Sequence, residues 1–105
     1  MKMIRAIIRP ERESETLACL EAKGFYAMTK APVLGRGRQR GIQVGAVSYD
    51  ELAKLMVILV VEDAECDQVT ALIEEGAHTG HPGDGKIFIQ HVLEAHTVRT
   101  GKAGL

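Results

Sequence analysis

The chain has 105 residues, 46% of them hydrophobic, with 13 Lys and Arg against 14 Asp and Glu and a formal net charge of −1. That length suits one domain with a single modest core, and the composition excludes a disordered chain. The near-neutral balance excludes general nucleic-acid affinity, which needs a basic face to displace counterions. The longest apolar run, 55–61, falls far short of a membrane span, and the charged N-terminal segment does not read as a signal peptide. Cys19 and Cys66 have no C-x-x-C spacing and are expected to remain thiols in a reducing, cytoplasmic setting.

In chain order, Lys2 to Arg9 alternates, with Ile4, Ala6 and Ile8 on one face and Met3, Arg5, Ile7 and Arg9 on the other. This predicts a strand with one dry and one mixed face. Pro10 ends it and opens a helix over about 11–23, with Leu17, Ala18 and Leu20 as its apolar stripe and Gly24 as its stop. A second strand is expected from Phe25 to Leu34, interrupted by Pro32. From Gly35 to about Leu52 the pattern is polar, glycine-bearing and weakly periodic, which reads as a long functional loop.

Leu55 to Val61 is the strongest strand, apolar on both faces and so expected at the centre of a sheet. A second helix follows to about His78, with Val69, Leu72, Ile73 and Ala77 as its stripe. After the loop 80–85, a fourth strand covers Lys86 to Val92, and a short strand-like tail spans His96 to Arg99. The order β-α-β, long loop, β-α-β predicts an α+β, ferredoxin-like βαββαβ domain with an antiparallel sheet. Two helices cover only one face of such a sheet, so the other is expected to pack against further subunits.

Two segments carry candidate chemistry. Thr79-Gly-His-Pro-Gly-Asp-Gly-Lys-Ile-Phe-Ile89 sets three glycines, an acid and a lysine against a strand-like run. Glycines let backbone amides approach an anion, and lysine adds a point charge. Gly80 to Lys86 fits the start of the P-loop pattern, but Ile87 stands where Ser or Thr should bind magnesium and a strand follows instead of a helix. The P-loop NTPase reading is therefore rejected and the anion-binding one kept. Asp84, held between glycines, reads as an acceptor for backbone amides that orients its loop. The second segment, Gly35-Arg-Gly-Arg-Gln-Arg-Gly41, offers guanidinium forks and a carboxamide, and in isolation reads equally well as a solvated turn. His78 and His81 lack partners for a zinc site, and His78 reads more simply as a helix C-terminal cap. No nucleophile motif is present.

These two segments, in this order and on this skeleton, resemble the PII signal-transduction family along essentially the whole chain. Met3-Ile-Arg-Ala-Ile-Ile-Arg-Pro10 and Val98-Arg-Thr-Gly101 fit as well. The resemblance implies a non-enzymatic homotrimer that binds ATP or ADP between subunits and senses 2-oxoglutarate. It implies that Gly83, Asp84, Gly85 and Lys86 cradle phosphates, aided by Arg38 and Arg99. Ile7, Thr29, Gly35, Gly37 and Val60 would line the nucleotide cleft, and Gln39 would ligate Mg2+. Gln39, Arg40, Gly41 and Lys54 would hold 2-oxoglutarate, and the mobile T-loop would span about 35–52.

The departures narrow the resemblance. The loop between Gly41 and Lys54 is shorter than in GlnB or GlnK, and Tyr49 does not align with the tyrosine those proteins have uridylylated. Thr97 stands where the family usually has the first of two arginines. The short loop is more similar to the nitrogen-fixation NifI branch. That implies control of dinitrogenase with a PII-like companion subunit, without nucleic acid or membrane insertion. A GlnK-like regulator of ammonium transport or glutamine synthetase is the alternative. A small enzyme or metal-tolerance protein on the same trimeric fold lacks use for the 83–86 loop, and a purely structural oligomer lacks use for either segment.

Overall fold

The computed structural model describes residues 1–36 and 51–105, and between them the backbone of two short strands, Ile42–Val44 and Val47–Tyr49. The elements are β1 (Lys2–Ile8), α1 (Glu13–Glu21), β2 (Thr29–Gly35), β3 (Ile42–Val44), β4 (Val47–Tyr49), β5 (Leu52–Val61), α2 (Cys66–Ala77) and β6 (Lys86–His91). A four-stranded sheet runs β2-β5-β1-β6 with every neighbouring pair antiparallel. This is the expected ferredoxin-like arrangement, with the apolar β5 inside the sheet. No helix among the described residues is long and apolar enough to cross a membrane.

Alternation decides the layers. Ile4, Ala6 and Ile8 of β1 and Leu55, Val57, Leu59 and Val61 of β5 are buried, and they pack with Leu20 of α1 and Val69, Ile73 and Ala77 of α2. The intervening residues face away from the helices. Directly opposed residues of an antiparallel pair share a face. On that open side, Thr29, Ile58, Arg5 and Phe88 form one row, and Ala31, Met56, Ile7 and Lys86 the next. Phe88 remains 52% exposed.

The helices meet closely. A β-carbon at Gly76 would stand 2.5 Å from the Thr16 α-carbon, so glycine sets their approach. Thr16 is fully buried and donates its hydroxyl to the Arg12 carbonyl at 2.7 Å, while Arg12 Nε caps α2 through the Gly76 carbonyl at 3.0 Å. Gly24, at φ 86°, ends α1 as expected; the Phe25 amide reaches back to the Leu20 carbonyl and Gly24 to Glu21.

Several expected boundaries move. The first helix begins at Glu13, because Pro10–Arg12 forms a tighter 3-10 turn. Its stripe contains Thr16 instead of Ala18, which is exposed: with its hydroxyl satisfied locally, threonine serves as an apolar side chain. The second strand begins at Thr29, because Phe25 and Met28 turn into the core before pairing starts. Pro32 is tolerated since β2 is an edge strand. β5 starts three residues early, at Leu52, paired with Gly35. His78 lies just past α2 in extended backbone, and the fourth strand stops at His91. The tail makes a single bridge, His96 to Ala103, in place of a strand. Within the expected long loop, β3 and β4 pair as a hairpin, Ile42 with Tyr49 and Val44 with Val47, an alternation too short to stand out in the sequence.

Candidate anion-binding site

Antiparallel pairing brings the C-terminal ends of β1 and β2 together with the starts of β5 and β6. Ile7 pairs with Lys86 and Gly35 with Leu52, while Lys54 and Val33 share a row. The strands of the sheet carry no carboxylate, whereas Arg5, Lys54 and Lys86 occupy the open face. The strands themselves therefore present positive charge there, and the nearby carboxylates, Asp84 and Glu11, are engaged by Arg9.

The loop 79–85 closes this end, and Asp84 organises it. Its Oδ2 accepts the amides of Thr79 and Gly80, each at 2.9 Å, and its Oδ1 accepts the Thr79 hydroxyl and Arg9 Nε, the latter at 3.0 Å. The Thr79 hydroxyl and amide, then Arg9 and the Gly80 amide, hold the carboxyl well below the usual carboxylate range. Asp84 is thus the amide acceptor expected from its setting, with its bonds running to residues upstream. His78 Nδ1 stands 3.9 Å from Oδ2, so His78 faces the loop as well as ending α2.

Two cations brace the loop from the sheet. Arg9 Nη2 donates to the Pro82 carbonyl at 2.7 Å, and Lys54 Nζ donates to the Gly83 carbonyl. Partial burial and then the neighbouring Arg9 charge push the Lys54 pKa down. A buried-edge pair of like charges favours an arriving anion. Among the described residues, the amides of Gly83, Asp84 and Gly85 have no protein acceptor. Successive free amides beside two cations are an arrangement whose chemistry suits an anion.

Gly83 and Gly85 have φ of 98° and 108°, values that side chains rarely adopt. Gly85 has a second reason to be glycine, since its backbone lies directly against the Ile7 carbonyl. That requirement belongs to the packing of the loop on β1 and is independent of any ligand.

The structure gathers Ile7, Gly35, Lys54 and Gly83 to Lys86 at one end of the sheet. Thr29 lies on the open face opposite Ile58, and Val60 opposite Met3. Val60 is six residues from Lys54 along β5, about 20 Å at strand rise. Arg99 stands exposed in the 98–100 turn and makes no ion pair among the described residues. In a single copy Thr29 and Val60 therefore lie along the sheet away from the loop, and Arg99 makes no hydrogen bond or ion pair with it among the described residues. Gly37, Arg38, Gln39, Arg40 and Gly41 lie outside the described residues.

Arg9 was not singled out from sequence as a site residue. Its signal was the alternation that put it on the same face as Met3, Arg5 and Ile7. Its partner, Asp84, is 75 residues away.

Comparison with known proteins decides the family. The model described as nitrogen regulatory protein P-II matches residues 1–102. The chain belongs to the P-II family. Among its relatives is a Methanosarcina barkeri protein named nitrogen fixation nifHD1 region GlnB-like protein 1, 52% identical over the whole of both chains. A nifHD region GlnB-like protein 1 of Methanothermobacter marburgensis is 51% identical, again over both full lengths. The nitrogen regulatory protein P-II 2 of Methanothermobacter thermautotrophicus is 46% identical, covering 99% of this chain and 94% of its own. P-II proteins are regulatory signalling proteins and not enzymes, and trimers are typical of them. The match with nifHD-region relatives places this chain beside the NifI branch.

Proposed function

We propose that this P-II protein is a cytoplasmic nitrogen-status sensor that binds ATP or ADP, Mg2+ and 2-oxoglutarate and switches off dinitrogenase. The observation that carries the ligand side is the run of free amides at Gly83, Asp84 and Gly85 next to Lys54 and Arg9. It suits phosphate and carboxylate oxygens in chemistry and in charge. In this reading Gly83, Gly85 and Lys86 hold phosphates with Arg38. Gln39 ligates Mg2+, which prefers oxygens shared with phosphates over an all-protein cage. Arg40, Gly41 and Lys54 hold the effector's carboxylates. A homotrimer, or a trimer with a PII-like companion, lets a neighbouring copy supply Thr29, Val60 and Arg99, which one chain leaves apart.

Control works through linkage. Nucleotide, Mg2+ and effector together favour one state of segment 35–52, and the target binds another. A ligand shifts that balance only by its differential affinity, typically about 1–3 kcal/mol. The dinitrogenase target is supported by nifHD-region relatives that align over 105 positions, the full length of this chain. The P-II 2 relative, which aligns over 111 positions, keeps a GlnK-like regulator of ammonium transport or glutamine synthetase as the alternative.

Calorimetric titration of 2-oxoglutarate, with Mg-ATP and then with ADP, tests the sensor. Binding that requires Mg-ATP is expected. A trimer that ignores 2-oxoglutarate under both conditions, with the companion subunit present, refutes it. Capture of purified dinitrogenase without 2-oxoglutarate, and its release on adding 2-oxoglutarate, tests the target.

A further inference from the structure

We propose that Thr79 is a positioning residue for the anion-binding loop: its hydroxyl ties Asp84 to the turn so that the Gly83–Gly85 amides stay turned outward. The hydroxyl has one proton and spends it on Asp84 Oδ1. It also accepts the His81 amide at 3.2 Å. With the Thr79 amide on Asp84 Oδ2 at 2.9 Å, one residue contacts both carboxylate oxygens and the middle of the loop.

The geometry explains why this matters for a ligand. An ionised carboxylate next to free amides is itself the nearest anion and competes for them. Here the carboxylate is occupied by Thr79, Gly80 and Arg9, and among the described residues none of its bonds goes to the amides of Gly83, Asp84 or Gly85. Without the hydroxyl, Oδ1 retains only Arg9, and the side chain is released toward the amides of its own segment. Thr79 itself is exposed, on no buried surface, so its hydroxyl contributes little to the core. Arg9, just past β1, and Lys54 on β5 supply the positive charges facing Asp84, and the His78 ring after α2 stands 3.9 Å from it.

The inference rests on the nucleotide reading above, and its test separates the two. Thr79→Val keeps the shape and removes the hydroxyl, and Thr79→Ser restores it. Mg-ATP affinity by calorimetry is expected to fall about tenfold in Thr79→Val, the scale of one lost charge-assisted hydrogen bond. It is expected to return in Thr79→Ser, with the thermal midpoint at pH 7 lowered in Thr79→Val only by the lost Asp84 hydrogen bond and restored in Thr79→Ser. In ligand-free protein, NMR titration of the Asp84 carboxyl carbon is expected to move up toward the ordinary range in Thr79→Val, and the His81 amide to exchange faster. Wild-type affinity in Thr79→Val with an unmoved Asp84 titration overturns the proposal. If the wild-type protein binds no Mg-ATP, the nucleotide reading falls. The ligand-free measurements then decide the role of Thr79: an unmoved Asp84 and His81 overturn it, and shifted ones support it.

Discussion

The backbone of Gly85 rests on the carbonyl of Ile7 so closely that a β-carbon there would overlap the Ile7 oxygen and stand 2.8 Å from its carbonyl carbon. Neither neighbour is a flexible side chain, so the contact cannot be relieved by a rotamer change. Combined with φ of 108°, it predicts that Gly85→Ala costs roughly 2–5 kcal/mol, from strain at positive φ and overpacking together. Urea unfolding of the ligand-free protein measures this directly. A loss under about 1 kcal/mol, less than strain at positive φ alone would cost, would show that the loop does not pack on β1 as described.

Gly76 and Gly24 offer a contrast. At Gly76 a β-carbon would meet Thr16 backbone at 2.5 Å and must push the helices apart. At Gly24 nothing lies within 4 Å, and only the positive φ of 86° is penalised. Gly76→Ala is expected to cost about 1–3 kcal/mol by overpacking. Gly24→Ala is expected to cost about 1 kcal/mol. Equal midpoint shifts in thermal unfolding would contradict the helix contact.

Asp84 provides a pH signature. Its folded-state carboxyl lies well below the ordinary aspartate value of about 3.9, so the folded chain holds fewer protons than the unfolded chain in that interval. Its contribution is therefore fully present above about pH 4 and is lost as pH falls through the folded value. The stability difference between wild type and Asp84→Asn is expected to be flat from pH 7 to about pH 4 and to shrink below it. A difference that begins to shrink near pH 6 would assign the effect to another group.

In the proposed function Lys54 holds the effector, and its ammonium also holds the Gly83 carbonyl of the loop. In calorimetry, Lys54→Ala is expected to abolish the 2-oxoglutarate response and to weaken Mg-ATP less than about tenfold, having removed one hydrogen bond that supports the loop. Gln39→Ala, acting through Mg2+, is expected to lose the response as well while keeping ATP binding. Unchanged effector affinity in both variants would exclude this end of the sheet as the effector site.

The four strands of the main sheet, both helices and their order followed from local rules: alternation in Lys2 to Arg9, the apolar run 55–61, the stripe of α2 and the glycine that stops α1. Composition at 79–89 marked a candidate anion site, and the fold sets that loop beside Lys54 and Arg9. Boundaries were less legible. Thr16 reads as polar until Arg12 is seen to accept its hydroxyl, and Phe25 reads as strand until Leu20 accepts its amide.

What the sequence alone determined is the period of each element and the chemistry available in each loop, since both depend on neighbours within a few residues. What only the tertiary structure decided is which groups meet. Arg9 reaches Asp84 across 75 residues, Lys54 reaches Gly83 across 29, and Gly85 lies against Ile7. Sheet register sets those encounters, and register is a property of the whole core: Ile4, Val57 and Ile73 must all be buried at once.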